Sequence, residues 1–128
     1  MTDRSDTPRK PAAPRKGLLH AVDATRYSIA GFGRLMQESA ARQELLFGAA
    51  GLGVLLWARA TPAEIGIFAI LFLILLAAEA LNTAIEVLVD RISPEWSQAG
   101  KEAKDLGSLA VGLVIAANLG FLVWVLVF

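Results

Sequence analysis

The 128-residue chain has no cysteine and one histidine, His20, so disulfides, thiolate metal sites and a cysteine nucleophile are excluded. A His-dense metal centre and a Ser-His-Asp triad are disfavoured with them. Net charge is also missing: 12 Lys or Arg balance 12 Asp or Glu, whereas a nucleic-acid binder shows a basic excess. No G-x-x-x-x-G-K-[ST] phosphate loop occurs anywhere; the glycines of GAAGLG, Gly48, Gly51 and Gly53, lie in an apolar run and suit close helix packing instead. What the chain has is hydrophobicity, 55% of residues and a mean hydropathy of +0.55. That is too greasy for an ordinary soluble domain of one unit, so charge and apolar surface must be segregated along it.

They are. Residues 1–17 hold three of the five prolines and almost no large apolar side chain, which predicts a disordered basic tail; no apolar run follows closely enough for a signal peptide. From Leu18 to Glu44 the apolar residues Leu18, Val22, Ile29, Phe32, Met36 and Ala40 fall on one helical face, away from Arg26, Arg34, Glu38 and Arg42. Such a helix is expected to lie in a membrane surface, the competing reading being a helix packed on a soluble core.

Leu45–Ala58 is uncharged but short of the roughly 20 residues a bilayer needs, so the preceding helix is expected to supply length. Thr61 and Pro62 read as an N-cap and first helical residue. A second span runs from about residue 64 to 91, with Ser93-Pro94 ending it, and a third covers about 105–128, of which the last 23 residues carry no charge. An all-α membrane protein with one surface helix and three spans (about 45–60, 64–91 and 105–128) follows. Eleven of the twelve basic residues, all but Arg59, lie on one side of that arrangement, which puts the amino terminus and the 91–105 loop in the cytoplasm.

Acidic residues carry the functional signal. Glu79, Asn82, Glu86 and Asp90 lie at about 0°, 300°, 340° and 20° around a helix, one stripe rising about 16 Å. Glu79 directly follows fourteen apolar residues, where hydrocarbon begins, and an acid there is costly unless it is protonated, paired or facing a wet cavity. A single polar residue would read as interhelical glue; three acids and an amide on one stripe read as a site. Glu79 and Glu86 stand about 10.5 Å apart, too far to share one metal, so their roles differ. Glu86 could bind Mg²⁺ with another carboxylate, Glu38 being the nearest candidate, because Mg²⁺ takes one or two carboxylates besides phosphate oxygens and water. Glu79 could serve as general base, since a carboxylate stripped of water is a stronger base. Lys104 and Ser108 share a face at the mouth of the last span, where a lysine can hold phosphate; the plainer alternative is a snorkelling Lys104 and an Asp105 that caps the helix.

The run Glu79-Ala-Leu-Asn82-Thr-Ala-Ile-Glu86-Val-Leu-Val-Asp90-Arg91, followed by Ala103-Lys104-Asp105-Leu-Gly107-Ser108, resembles the signature of the small prokaryotic integral-membrane diacylglycerol kinases. Tyr27-Ser28 and Glu38…Arg42-Gln43-Glu44 resemble that family's amino-terminal helix, so the similarity covers roughly 18–128. His20 stands where the family often has an arginine, and residues 31–37 read one residue shorter than its commonest spacing. The resemblance implies a homotrimer in the bacterial inner membrane that transfers the γ-phosphate of MgATP to the primary hydroxyl of diacylglycerol, giving phosphatidic acid. It implies Glu79 as catalytic base beside Asn82, and Glu38 and Glu86 as ligands of the metal bridging the ATP phosphates. Tyr27, Glu95, Trp96, Ser97, Lys104 and Asp105 would line the nucleotide site, and Ser28, Arg42, Gln43, Glu79 and Ser108 the lipid site. An undecaprenol kinase shares the same core pattern and stands as the alternative; a channel or proton-carrying accessory subunit is the non-enzymatic one.

Overall fold

The computed structural model describes residues 17–128, and the expected tail, except for Gly17, lies outside them. The described residues form four helices with no strand: α1 (Leu18–Leu35), α2 (Ser39–Trp57), α3 (Pro62–Ile92) and α4 (Gln98–Val127). Two of them, α3 and α4, are long and apolar enough to cross a membrane.

The surface helix was expected to run to Glu44, but the chain breaks at Met36–Glu38 instead. Amides of Gln37 and Glu38 bond back to Arg34 and Leu35 oxygens at 3.1 and 3.0 Å, tightening the last turn. Glu38 then turns extended, with φ −77° and ψ 135°, and caps α2. Two arginines staple the break. Arg34 pairs with Glu38, and Arg42 donates to the Met36 and Gln37 carbonyl oxygens, each at 3.0 Å. The helix that carries the first apolar run therefore begins at Ser39, six residues ahead of that run, and is 19 residues long, about 28 Å at 1.5 Å per residue. On α1, Val22, Ile29 and Phe32 are exposed, so its apolar face packs on little within the chain.

Thr61 caps α3 as the sequence indicates. Its hydroxyl accepts from the Glu64 amide at 3.3 Å, the Glu64 carboxylate accepts from the Thr61 amide at 2.6 Å, and Pro62 occupies the first turn. The last helix starts at Gln98, two turns ahead of the span expected from about 105. Ser97 caps it by accepting from the Gly100 amide at 3.1 Å, so Asp105 is two turns inside the helix and pairs with Lys101 instead of capping.

α3 and α4 form the most extensive contact, with α2 laid against α3. Gly48 and Gly51 face the rings of Phe72 and Phe68 so closely that a Cβ at either would collide with them. Those glycines let α2 approach α3, as their positions in the apolar run suggest. Leu55, Phe68 and Leu122 form the small core. Outside it the pattern is inverted relative to a soluble protein: Ile70, Leu73, Leu81, Leu113 and Val123 are 59–67% exposed. Such contiguous apolar surface fits a lipid environment.

Candidate functional site

α3 is about 46 Å long, more than a hydrocarbon core is thick, and Glu79 sits about 26 Å from its start. Its polar stripe therefore begins near the far edge of the apolar layer. α2 and α4 close around that stripe and leave a cavity of about 570 Å³. Glu38, Gln43 and Glu44 come to it from the start of α2, Glu79, Asn82, Thr83 and Glu86 from α3, and Ser108 from α4. The deeper wall is apolar: Phe47, Leu75, Val111 and Ile115.

Four polar side chains of this cavity are buried, Glu44 at 7%, Glu79 at 5%, Asn82 at 9% and Thr83 at 8% exposure. Glu79 lies within reach of the charges of Glu86 and Glu38, and Glu44 within reach of Glu79. Among the described residues no cation pairs with Glu44 or Glu79. The Asn82 amide donates to Glu86 Oε1 at 3.1 Å and so fixes that carboxylate one turn along the helix. Asn82 Oδ1 and Glu44 Oε2 are buried without a hydrogen-bond partner. Asn82 lies so close to Gly107 that a Cβ there would strike Oδ1, so the glycine is what allows the amide to sit between the helices.

A second cleft, about 310 Å³, lies beyond this one where α3 turns into α4. It is lined by Asp90, Glu95, Trp96, Ser97, Lys101, Lys104 and Asp105, among others. Here charges are paired: Lys104 Nζ bonds Asp90 Oδ1 at 2.6 Å, and Lys101 pairs with Asp105. Ser93 donates to the Ser97 hydroxyl at 3.0 Å, and Trp96 is 78% exposed. Asp90, the last member of the sequence stripe, belongs to this cleft rather than to the acid cavity.

Most of the residues singled out in the sequence fall into these two groups. Glu38, Gln43, Glu79, Asn82, Glu86 and Ser108 meet in the cavity; Glu95, Trp96, Ser97, Lys104 and Asp105 meet in the cleft. Three lie elsewhere in the single chain. Tyr27 is exposed on α1 in a depression with Asp23, Arg26 and Ala30, and Ser28 donates to the Ala24 carbonyl at 3.0 Å. Arg42 is engaged with the carbonyls of the helix break. The sequence reading gives Glu44 no role, although it is one of the most buried acids; its position in helical register three residues before Phe47 was the available signal.

Among the described residues no three His, Cys, Asp or Glu side chains are spaced to hold a metal ion. Two hard carboxylates, Glu38 and Glu86, nevertheless line one cavity with space beside them, a donor set that fits a Mg²⁺ ion taking its other ligands from phosphate and water.

A family model described as prokaryotic diacylglycerol kinase matches residues 26–128. A diacylglycerol kinase of a Sinorhizobium species is 44% identical over 118 residues, covering 92% of this chain and 86% of its own length. One from Pseudomonas aeruginosa is 37% identical over 101 residues, 78% of this chain and 82% of its own. One from Escherichia coli K12 is 29% identical over 109 residues, with coverages of 84% and 88%.

Proposed function

The chain belongs to the prokaryotic diacylglycerol kinase family, and from that premise we propose that Glu79 is the base of a phosphoryl transfer carried out at the cytoplasmic face of the membrane. The protein is a membrane kinase that phosphorylates diacylglycerol at the expense of ATP. In the transfer, an oxygen of the lipid's primary hydroxyl bonds to the γ-phosphorus, the bond from that phosphorus to the β–γ bridging oxygen breaks, and the hydroxyl proton passes to the Glu79 carboxylate. Phosphatidic acid and ADP leave.

The observation that carries this reading is the cavity's gradient. Glu79 stands between an apolar wall of Leu75, Val111 and Ile115 and a polar rim of Glu38, Asn82 and Glu86. A lipid alcohol and a triphosphate approach from those opposite sides, and both have to meet at one carboxylate. Buried without a cation, that carboxylate is free to take a proton. Asn82 orients Glu86 while its own carbonyl oxygen packs against Gly107 of α4. Glu38 and Glu86 would hold Mg²⁺, which when bound neutralises charge on the ATP phosphates. Lys104 and Asp105, with Glu95, Trp96 and Ser97, would receive the nucleotide in the adjoining cleft, the phosphates competing with Asp90 for Lys104. Gln43 and Ser108 would face the lipid headgroup. Tyr27, Ser28 and Arg42 contribute to these sites if a neighbouring chain brings α1 and the helix break to them.

That last requirement and the exposed face of α3, which one chain does not cover, support an assembly of several chains; the number three rests on the family resemblance alone. α2 would be the third span: its uncharged part, Leu45–Trp57, would enter the apolar layer while Arg42, Gln43 and Glu44 stay at the polar edge, and it seats on α3 through two glycines. With three spans, six of the seven basic residues among those described, all but Arg59, lie on the side of the acid cavity, which supports a cytoplasmic assignment of that side. The test is ATP-dependent phosphorylation of purified lipid alcohols in mixed micelles. Phosphate on diacylglycerol is expected; phosphate only on a polyprenol, or no ATP turnover at all, contradicts the proposal.

A further inference from the structure

The acid cavity is not the only opening beside Glu79. An open second groove of about 290 Å³ runs between α1 and α3, lined by Gly31, Arg34 and Leu35 on one side and Ala80, Thr83, Ala84 and Val87 on the other. Thr83 lines both spaces. Around α3, with Glu79 at 0°, Thr83 stands at about 40°, Val87 at about 80°, Ala80 at about 100° and Ala84 at about 140°. The groove thus flanks the acid stripe, at the same depth, and its lining is small or apolar except for Arg34 at the lip, which is paired with Glu38.

Two apolar surfaces therefore diverge from Thr83, one turn along α3 from the Glu79 carboxylate. One is the wall of the cavity, Phe47, Leu75, Val111 and Ile115; the other is this groove, reached across Thr83. A lipid alcohol with a single tail needs only one such surface, whereas a glycerol carrying two acyl chains presents two tails within a few bonds of the reacting hydroxyl. Building on the kinase reading above, we propose that the two acyl chains of the substrate separate over Thr83, one following the cavity wall and the other entering the groove between α1 and α3. The groove is then the feature that discriminates a diacyl from a monoacyl substrate. Ala80 and Ala84 leave the room, and Gly31 completes it from α1.

Filling the groove is structurally simple. Gly31 and Ala84 are exposed, and a Cβ at Gly31 meets no atom within 4 Å. Leucine is also a far better helix former than glycine, so α1 gains rather than loses from the change. The full-length Gly31→Leu/Ala84→Leu protein should be compared with wild type in mixed micelles on a diacylglycerol and a monoacylglycerol bearing the same acyl chain. The expected result is a fall of about tenfold in kcat/KM for the diacylglycerol, the effect of displacing a couple of buried methylenes, with the monoacylglycerol value within about twofold of wild type. Gly31→Leu alone should move the ratio the same way by less. An unchanged ratio overturns the proposal. Equal losses on both lipids together with an altered oligomeric state also overturn it, assigning the groove to a second copy of the chain. A wild-type protein inactive on both lipids would instead defeat the kinase reading itself.

Discussion

The two openings along the α3–α4 pair differ in how they treat charge. In the outer cleft Lys104 and Asp90 pair at 2.6 Å, Lys101 pairs with Asp105, and all four side chains are substantially exposed. In the inner cavity Glu44 and Glu79 are buried with other carboxylates nearby and no cation among the described residues. The outer arrangement is that of a surface that exchanges partners easily, suited to a soluble, charged molecule. The inner one holds buried carboxylates without a paired cation beside an apolar wall, the setting the proposed proton transfer requires. One helix, α3, serves both because its polar stripe continues from Glu79 to Asp90 across that boundary.

Removing charge at the two places should therefore have unequal consequences. Glu79→Gln is expected to lower kcat by about 10³-fold with ATP binding retained, since it deletes the proton acceptor alone. Glu79→Gln with kcat near wild type would make the inner cavity no more than structural. Gly107→Ala should come next: the added methyl displaces the Asn82 amide, and with it Glu86, for a loss of about 10- to 100-fold in kcat. Thermal unfolding in detergent run beside it separates misplacement from misfolding. Glu86→Gln should raise the Mg²⁺ concentration needed for half-maximal rate by about tenfold; an unchanged Mg²⁺ titration would remove Glu86 from the metal site. In the outer cleft, Asp90→Asn should change stability by less than about 1 kcal/mol, as exposed ion pairs do, while altering the KM for ATP by releasing Lys104. If Asp90→Asn instead abolished turnover with KM intact, the contrast between the regions would fail.

Much of this was legible in the sequence. The stripe Glu79, Asn82, Glu86 could be read because helical period alone decides which side chains share a face, and an uncharged run before Glu79 fixes its depth. Thr61 and Pro62 were equally readable, because a cap is a local matter. The break at Met36–Glu38 was not: the apolar register passes through it without interruption, and what stops the helix is Arg42 reaching back to two carbonyls and Arg34 pairing with Glu38. Glu44 was passed over for the same reason. Placed on a surface helix it is a solvated acid; once α2 begins at Ser39 it turns into the cavity. Asn118, fully buried with its amide donating to the Leu71 carbonyl at 3.2 Å, ties α4 to α3 and is a single polar residue in a long apolar run. The partner of such a residue depends on tertiary packing, which periodicity does not contain.

The most direct test of the central claim is the structure of the protein in a lipid medium with diacylglycerol and a non-hydrolysable ATP analogue bound. The account predicts the lipid's primary hydroxyl oxygen about 2.6–3.2 Å from the Glu79 carboxylate, with the terminal phosphate on its other side. A Glu79 side chain turned toward acyl tails, remote from both the hydroxyl and the nucleotide, would contradict it.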